Sequence, residues 1–125
     1  MDNDSGNIIK EKSFDFACDI LDMRKLLREN KEFEIEHQIV RSGTSIGANV
    51  CEAVQAQTVA DFFAKMSIAL KEAAETDYWL RLIKHCNLYD DEFVDHVLSR
   101  STELIKIFTS IVKHKDDSVS YEKRG

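Results

Sequence analysis

A chain of 125 residues with no proline and only four glycines carries almost nothing that breaks a helix. Turn-rich all-β folds need such residues at every corner, whereas here the apolar pattern runs on in long periodic segments. The expectation is an all-α protein. At this length one domain over residues 1–125 suffices, with its core between about 8 and 114, and it can bury roughly two-thirds of the surface its unfolded chain exposes.

Four amphipathic segments are expected, near 13–30, 34–56, 59–88 and 91–114. Ser13 before Phe14-Asp15 reads as an N-cap, followed by Phe16, Ile20, Met23 and Leu27 at spacings of four and three. After the polar Glu29-Asn30-Lys31-Glu32, the stripe Ile35, Ile39, Ser42, Ile46, Asn49, Ala53 is small and partly polar. Thr58 and Asp61 form a variant capping box ahead of Phe62, Met66, Ala69, Ala73, Thr76, Leu80 and Ile83. Asp90 then caps a fourth segment with a broad apolar face from Val94 to Val112. The polar tail 115–125 is expected to fray. Short connections between four helices predict an antiparallel up-down-up-down bundle whose core includes Phe16, Ile20, Ile46, Met66, Leu80, Leu104 and Phe108.

Charge narrows the functional classes. Asp and Glu total 23 against 17 Lys and Arg, a net −6, which disfavours a broad phosphate-binding surface. A local basic patch around Lys10, Lys12, Arg24, Lys25 and Arg28 keeps nucleic-acid binding as the second reading. Cys18, Cys51 and Cys86 lack metal-ligand spacing and read as reduced core residues of a cytoplasmic protein. The start of the chain has no signal-peptide pattern, and no apolar run has membrane-spanning length, so no membrane association is expected.

Two segments carry a resemblance: Arg41-Ser-Gly-Thr-Ser-Ile-Gly-Ala-Asn-Val-Cys-Glu52 and Ala69-Leu-Lys-Glu-Ala-Ala-Glu-Thr-Asp-Tyr-Trp-Leu80. Together they resemble the signature of the 23S rRNA intervening sequence proteins, four-helix bundles that include the accessory variability determinant of diversity-generating retroelements. The resemblance spans about Ile8 to His114; it departs at Gly47, where many relatives have proline, and at Ala53-Val54, where many have a glycine. It implies a homo-oligomer, a ring-like pentamer, with no established activity and with ribosomal RNA, a ribonucleoprotein or another protein as partner. Arg41, Asn49, Glu52, Glu75 and Asp77 stand at the family's polar positions, where an arginine–carboxylate pair across helices would fix register.

Gly43 and Gly47 each cost about 1 kcal/mol relative to alanine inside a helix, a loss that close backbone approach by a neighbouring helix would offset. Tyr78, Trp79, Leu82 and Ile83 point almost all the way round helix three, and one bundle core covers only one side of it. The surplus, with Phe63 and Leu70, is expected to meet another protomer.

Enzyme readings fare worse. Glu72 and Glu75 with Glu92 and Asp95 resemble the carboxylates of all-α nucleotide pyrophosphohydrolases, the weakest alternative. With the turn near Tyr89, Glu75 should lie level with Glu103, about 16 Å from Glu92 at 1.5 Å per residue, too far to share a metal. Glu34 and His37 supply one Glu-x-x-His where a di-iron bundle needs two, and Arg81 with His85 are close enough to be surface neighbours. The Gly43–Gly47 stretch lacks the Gly-Lys-Ser/Thr ending of a phosphate loop. No catalytic residue, metal ligand or cofactor is assigned.

Overall fold

The computed structural model describes residues 3–86 and 91–124, with side chains over 6–86 and 92–114. Four helices follow in order: α1 Asn3–Glu29, α2 Phe33–Val54, α3 Val59–His85 and α4 Asp91–Arg124. Among the described residues there is no strand, and no helix is long and apolar enough to cross a membrane.

Each helix contacts the next, and α1 closes against α4 along the least extensive seam. Contact pairs fall in number on one helix as they climb on its neighbour, the order that antiparallel neighbours give. Between α1 and α2, Arg28 pairs with Glu36, Gly43 lies against Ile20 and Gly47 against Ser13. Glu52 with Lys65 and Ser42 with Thr76 do the same for α2 and α3. Lys84–Asp95 and Asp77–Ser101 register α3 on α4, while Lys12–Glu103 and Asp19–Arg100 join α1 to α4. All seven expected core residues are at most 1% exposed.

Local chemistry explains where the helices turn. Thr58 Oγ1 accepts from the Asp61 backbone N–H at 3.0 Å, the capping bond read from sequence. The α1–α2 turn is a Schellman closure: Lys31 adopts φ 60°, the Glu32 N–H reaches the Leu27 carbonyl at 2.9 Å and the Lys31 N–H reaches Arg28 at 3.0 Å. Helix α2 runs unbroken through Ser42–Ser45, where Ser42, Thr44 and Ser45 turn their hydroxyls back to carbonyls three or four residues earlier instead of capping a break.

Several expectations are corrected. Ser13 is no N-cap: α1 begins ten residues earlier, and Ser13 is buried mid-helix with Oγ on the Lys10 carbonyl at 3.1 Å. Ile9 continues the buried stripe one turn upstream, and a serine that bonds back to its own helix is indistinguishable in sequence from a cap. Helix α4 does not stop near 114 but reaches Arg124, since nothing between 115 and 124 is a glycine or proline. The cysteines are exposed rather than core, Cys51 falling one position past buried Val50 and Cys86 just past the end of α3. The proposed cap at Asp90 lies outside the described residues.

Candidate functional site

The α2–α3 seam holds the polar heart of the molecule. Thr76 Oγ1 lies 2.8 Å from both Ser42 Oγ and the Glu72 carbonyl oxygen, in the fully buried layer. Each hydroxyl carries one proton: with Thr76 donating to the Glu72 carbonyl, Ser42 donates to Thr76 Oγ1, and with Thr76 donating to Ser42, the Ser42 proton goes to the Ile39 carbonyl at 3.5 Å.

One step outward, Arg41 reaches across from α2. Its guanidinium donates to Glu75, to Glu72 at 3.4 Å and to Gln38 at 3.4 Å. Glu75 Oε2 also accepts from the Trp79 indole N–H at 3.3 Å, so the carboxylate ties Arg41 to the aromatic group one turn along α3. Tyr78 meets Trp79 edge-to-face with centroids 5.1 Å apart. Beside them opens an apolar groove of about 520 Å³, lined by Phe33, Glu34, Ile35, His37, Gln38 and Trp79. Phe33 is 56% exposed and Tyr78 58%, large for aromatic side chains on one small domain.

Of the five signature polar residues, the structure brings together Arg41 and Glu75 alone. Asn49 is half-buried and donates to the Ser45 carbonyl of its own helix at 2.8 Å. Glu52 is exposed and faces Lys65 at 3.5 Å. Asp77 sits on the far side of α3, accepting from Ser101 Oγ at 2.9 Å and Arg81 at 2.6 Å; that hydrogen bond and charge hold the Arg81 guanidinium above its ordinary pKa. A single network therefore becomes four separate contacts, because positions one turn apart on α2 look toward different neighbours.

The two glycines also part company. A Cβ on Gly43 would stand 2.7 Å from Ile20 Cγ1, an impossible approach, so α1 and α2 meet closely there. At Gly47 the nearest atom, the Ser13 carbonyl oxygen, would be 3.5 Å away, an ordinary contact, and no close packing demands that glycine.

Among the expected interface residues, Phe63 is corrected. It is buried within its own protomer, edge-to-face with Phe62 at 5.2 Å. Leu70, Trp79 and Leu82 are half-buried, and Tyr78 is exposed. Sequence reading missed Phe33, whose signal was an aromatic opening a helix off the inward stripe, and did not join Gln38 and Glu72 to Arg41.

Three of the five basic residues of α1 named above carry ion pairs. Lys12 pairs with Glu103 of α4 at 2.9 Å, Arg28 with Glu36 of α2 at 2.8 Å, and Lys25 loosely with Asp22 at 3.9 Å. Arg24 Nε is buried without a hydrogen-bond partner. The α3–α4 register set by Asp77–Ser101 and Lys84–Asp95 puts Glu75 level with the neighbourhood of Glu103, well along the axis from Glu92.

No curated protein matches the chain. A crystal structure of a protein of unknown function from the S23 ribosomal protein family of Bacteroides thetaiotaomicron superposes with a TM-score of 0.82 at 48% identity, covering 87% of this chain and 98% of that one. A sequence model described as 23S rRNA-intervening sequence protein matches residues 6–110. That match takes in the Arg41–Glu75 seam, the aromatic groove, α2 and α3 whole and most of α1 and α4, and the chain belongs to the 23S rRNA-intervening sequence protein family.

Proposed function

We propose that the protein is a non-enzymatic assembly module of the cytoplasm, working as a homo-oligomer, a ring of five on the resemblance, that holds a protein or ribonucleoprotein partner. The observation that carries this reading is the exposed aromatic groove between α2 and α3, with Phe33 and Tyr78 more than half exposed around Trp79. Aromatic groups are enriched at interface cores, and a ring uses two different faces of each subunit. The Arg41–Glu75–Trp79 chain supports it, since it holds the indole in one orientation against the groove. Ion pairs that occupy Glu72, Glu75 and Asp77 give those carboxylates a structural task.

Light scattering on the purified chain at micromolar concentration tests the assembly, with a mass near five times the 14.4 kDa of the chain expected and a stable single-chain mass overturning it. Affinity isolation from native cells, with and without ribonuclease, tests the partner. A protein that survives ribonuclease supports the adaptor reading; RNA retained directly by the purified chain overturns it in favour of nucleic-acid binding.

A further inference from the structure

We propose that the outer face of α1 is a two-fold self-association surface, on which α1 of a second copy lies antiparallel with Cys18 opposite Cys18. Phe14, Cys18 and Leu21 recur at spacings of four and three on the side of α1 away from the buried Phe16, Ile20 and Met23. All three are exposed, Phe14 at 69% and Leu21 at 37%. These spacings form the seam of paired helices, and among the described residues this one has no partner within the bundle.

Charge selects the occupant and its direction. One turn beyond each end of the apolar trio, the same stripe carries an exposed Glu11 and an exposed Lys25. Seven residues separate each from Cys18, so an antiparallel copy centred there places Glu11 against Lys25 of the second copy at both ends and Phe14 near Leu21 of the second copy. A parallel copy would oppose Glu11 to Glu11 and Lys25 to Lys25. The sequence of charges is thus complementary to itself in one orientation only. Lys25 is free to turn outward, since its link to Asp22 is long, at 3.9 Å, and both groups are well exposed. Beside Phe14 a groove of about 480 Å³, floored by Ala17, Thr44, Gly47 and Ala48, gives the incoming Leu21 a place. The contact uses α1 and the edge of α2, does not rest on the assembly proposed above, and would pair two chains or two rings.

Cys18 supplies the readout, because directly opposed cysteines on paired helices can be bridged. A C51S/C86S chain, keeping Cys18 alone, is exposed to mild oxidant and followed on non-reducing gels, with helicity of every variant checked by circular dichroism. The expected result is a covalent species of twice the mass, lost in L21E. E11K and K25E each bring like charges together and slow crosslinking about fivefold, while E11K/K25E restores it. Crosslinking as slow in the parent as in L21E, or charge variants without effect, would overturn the proposal.

Discussion

Ser42 on α2 and Thr76 on α3 meet hydroxyl to hydroxyl at 2.8 Å in a layer that solvent does not reach. Removing one partner leaves the other with only the bond to its own helix, Thr76 to the Glu72 carbonyl or Ser42 to that of Ile39, whereas removing both leaves an apolar contact. Thr76→Val and Ser42→Ala are each expected to cost about 1–2 kcal/mol, and the double variant less than their sum. Urea unfolding of the four proteins measures the coupling; strict additivity would show that the pair does not act as a unit.

Gly43 and Gly47 respond oppositely to the same change. Alanine at Gly43 drives a methyl into Ile20, a stiff β-branched side chain with no exposed surface, and overpacking of this kind costs about 1–3 kcal/mol. Alanine at Gly47 meets only ordinary contacts and recovers about 0.5–1 kcal/mol of helix propensity. Thermal melting should therefore fall for G43A and rise for G47A.

Lys31 holds a left-handed conformation that suits glycine, at φ 60° in the α1–α2 turn. Lys31→Gly is expected to stabilise the protein by up to about 1 kcal/mol, the relief of side-chain strain being partly offset by the added freedom of the unfolded chain. Denaturant midpoints decide it; a lower midpoint for K31G would show that the lysine side chain contributes more than its backbone costs.

Asp19 receives Arg100 at 3.0 Å and His96 at 3.7 Å across the α1–α4 seam. Hydrogen bonds to charged groups are worth roughly 1.5–3 kcal/mol where water is excluded, and partial exposure of both partners lowers this to about 1 kcal/mol for Asp19→Ala. Amide exchange should quicken in α1 and α4 while the α2–α3 seam keeps its protection. Uniform quickening would mean that the bundle opens only as a whole.

Trp79→Ala removes the indole that both lines the groove and donates to Glu75. If the groove is an assembly face, W79A and Y78E both lower the mass seen by light scattering while helicity persists. Unchanged mass in both would place the assembly contact elsewhere. Glu75→Gln separates the two roles of that carboxylate, since an amide oxygen still accepts from Trp79 but no longer pairs in charge with Arg41.

The stripes from Phe16 to Leu27 and from Met66 to Ile83 were legible because burial repeats at the helical period, and the Thr58 cap because its bond spans only the consecutive residues Thr58 to Asp61. Ser13 misled because a back-bonded serine and a capping serine differ only in what precedes them. Arg41 and Glu75 were readable as signature positions, but periodicity could not say that Asn49 and Glu52, on the same helix, turn to their own backbone and to Lys65. Phe63 looked outward by position and is covered by its own protomer, while Phe33 escaped notice because a helix's first residue lies outside any repeat. Lys31 offered no sign at all, since its conformation is dictated by the closing carbonyls of α1.

The circular order of helices has a kinetic consequence. Three of the four seams join helices that are adjacent in the chain, so each can form by closing a short connection; only the α1–α4 seam must bring residues as far apart as Lys12 and Glu103 together. Loop-closure entropy concentrates there, in the seam with the least contact to repay it. Hairpin-like assembly from α2 and α3 outward, with α1 and α4 meeting last, is the folding order that this topology favours.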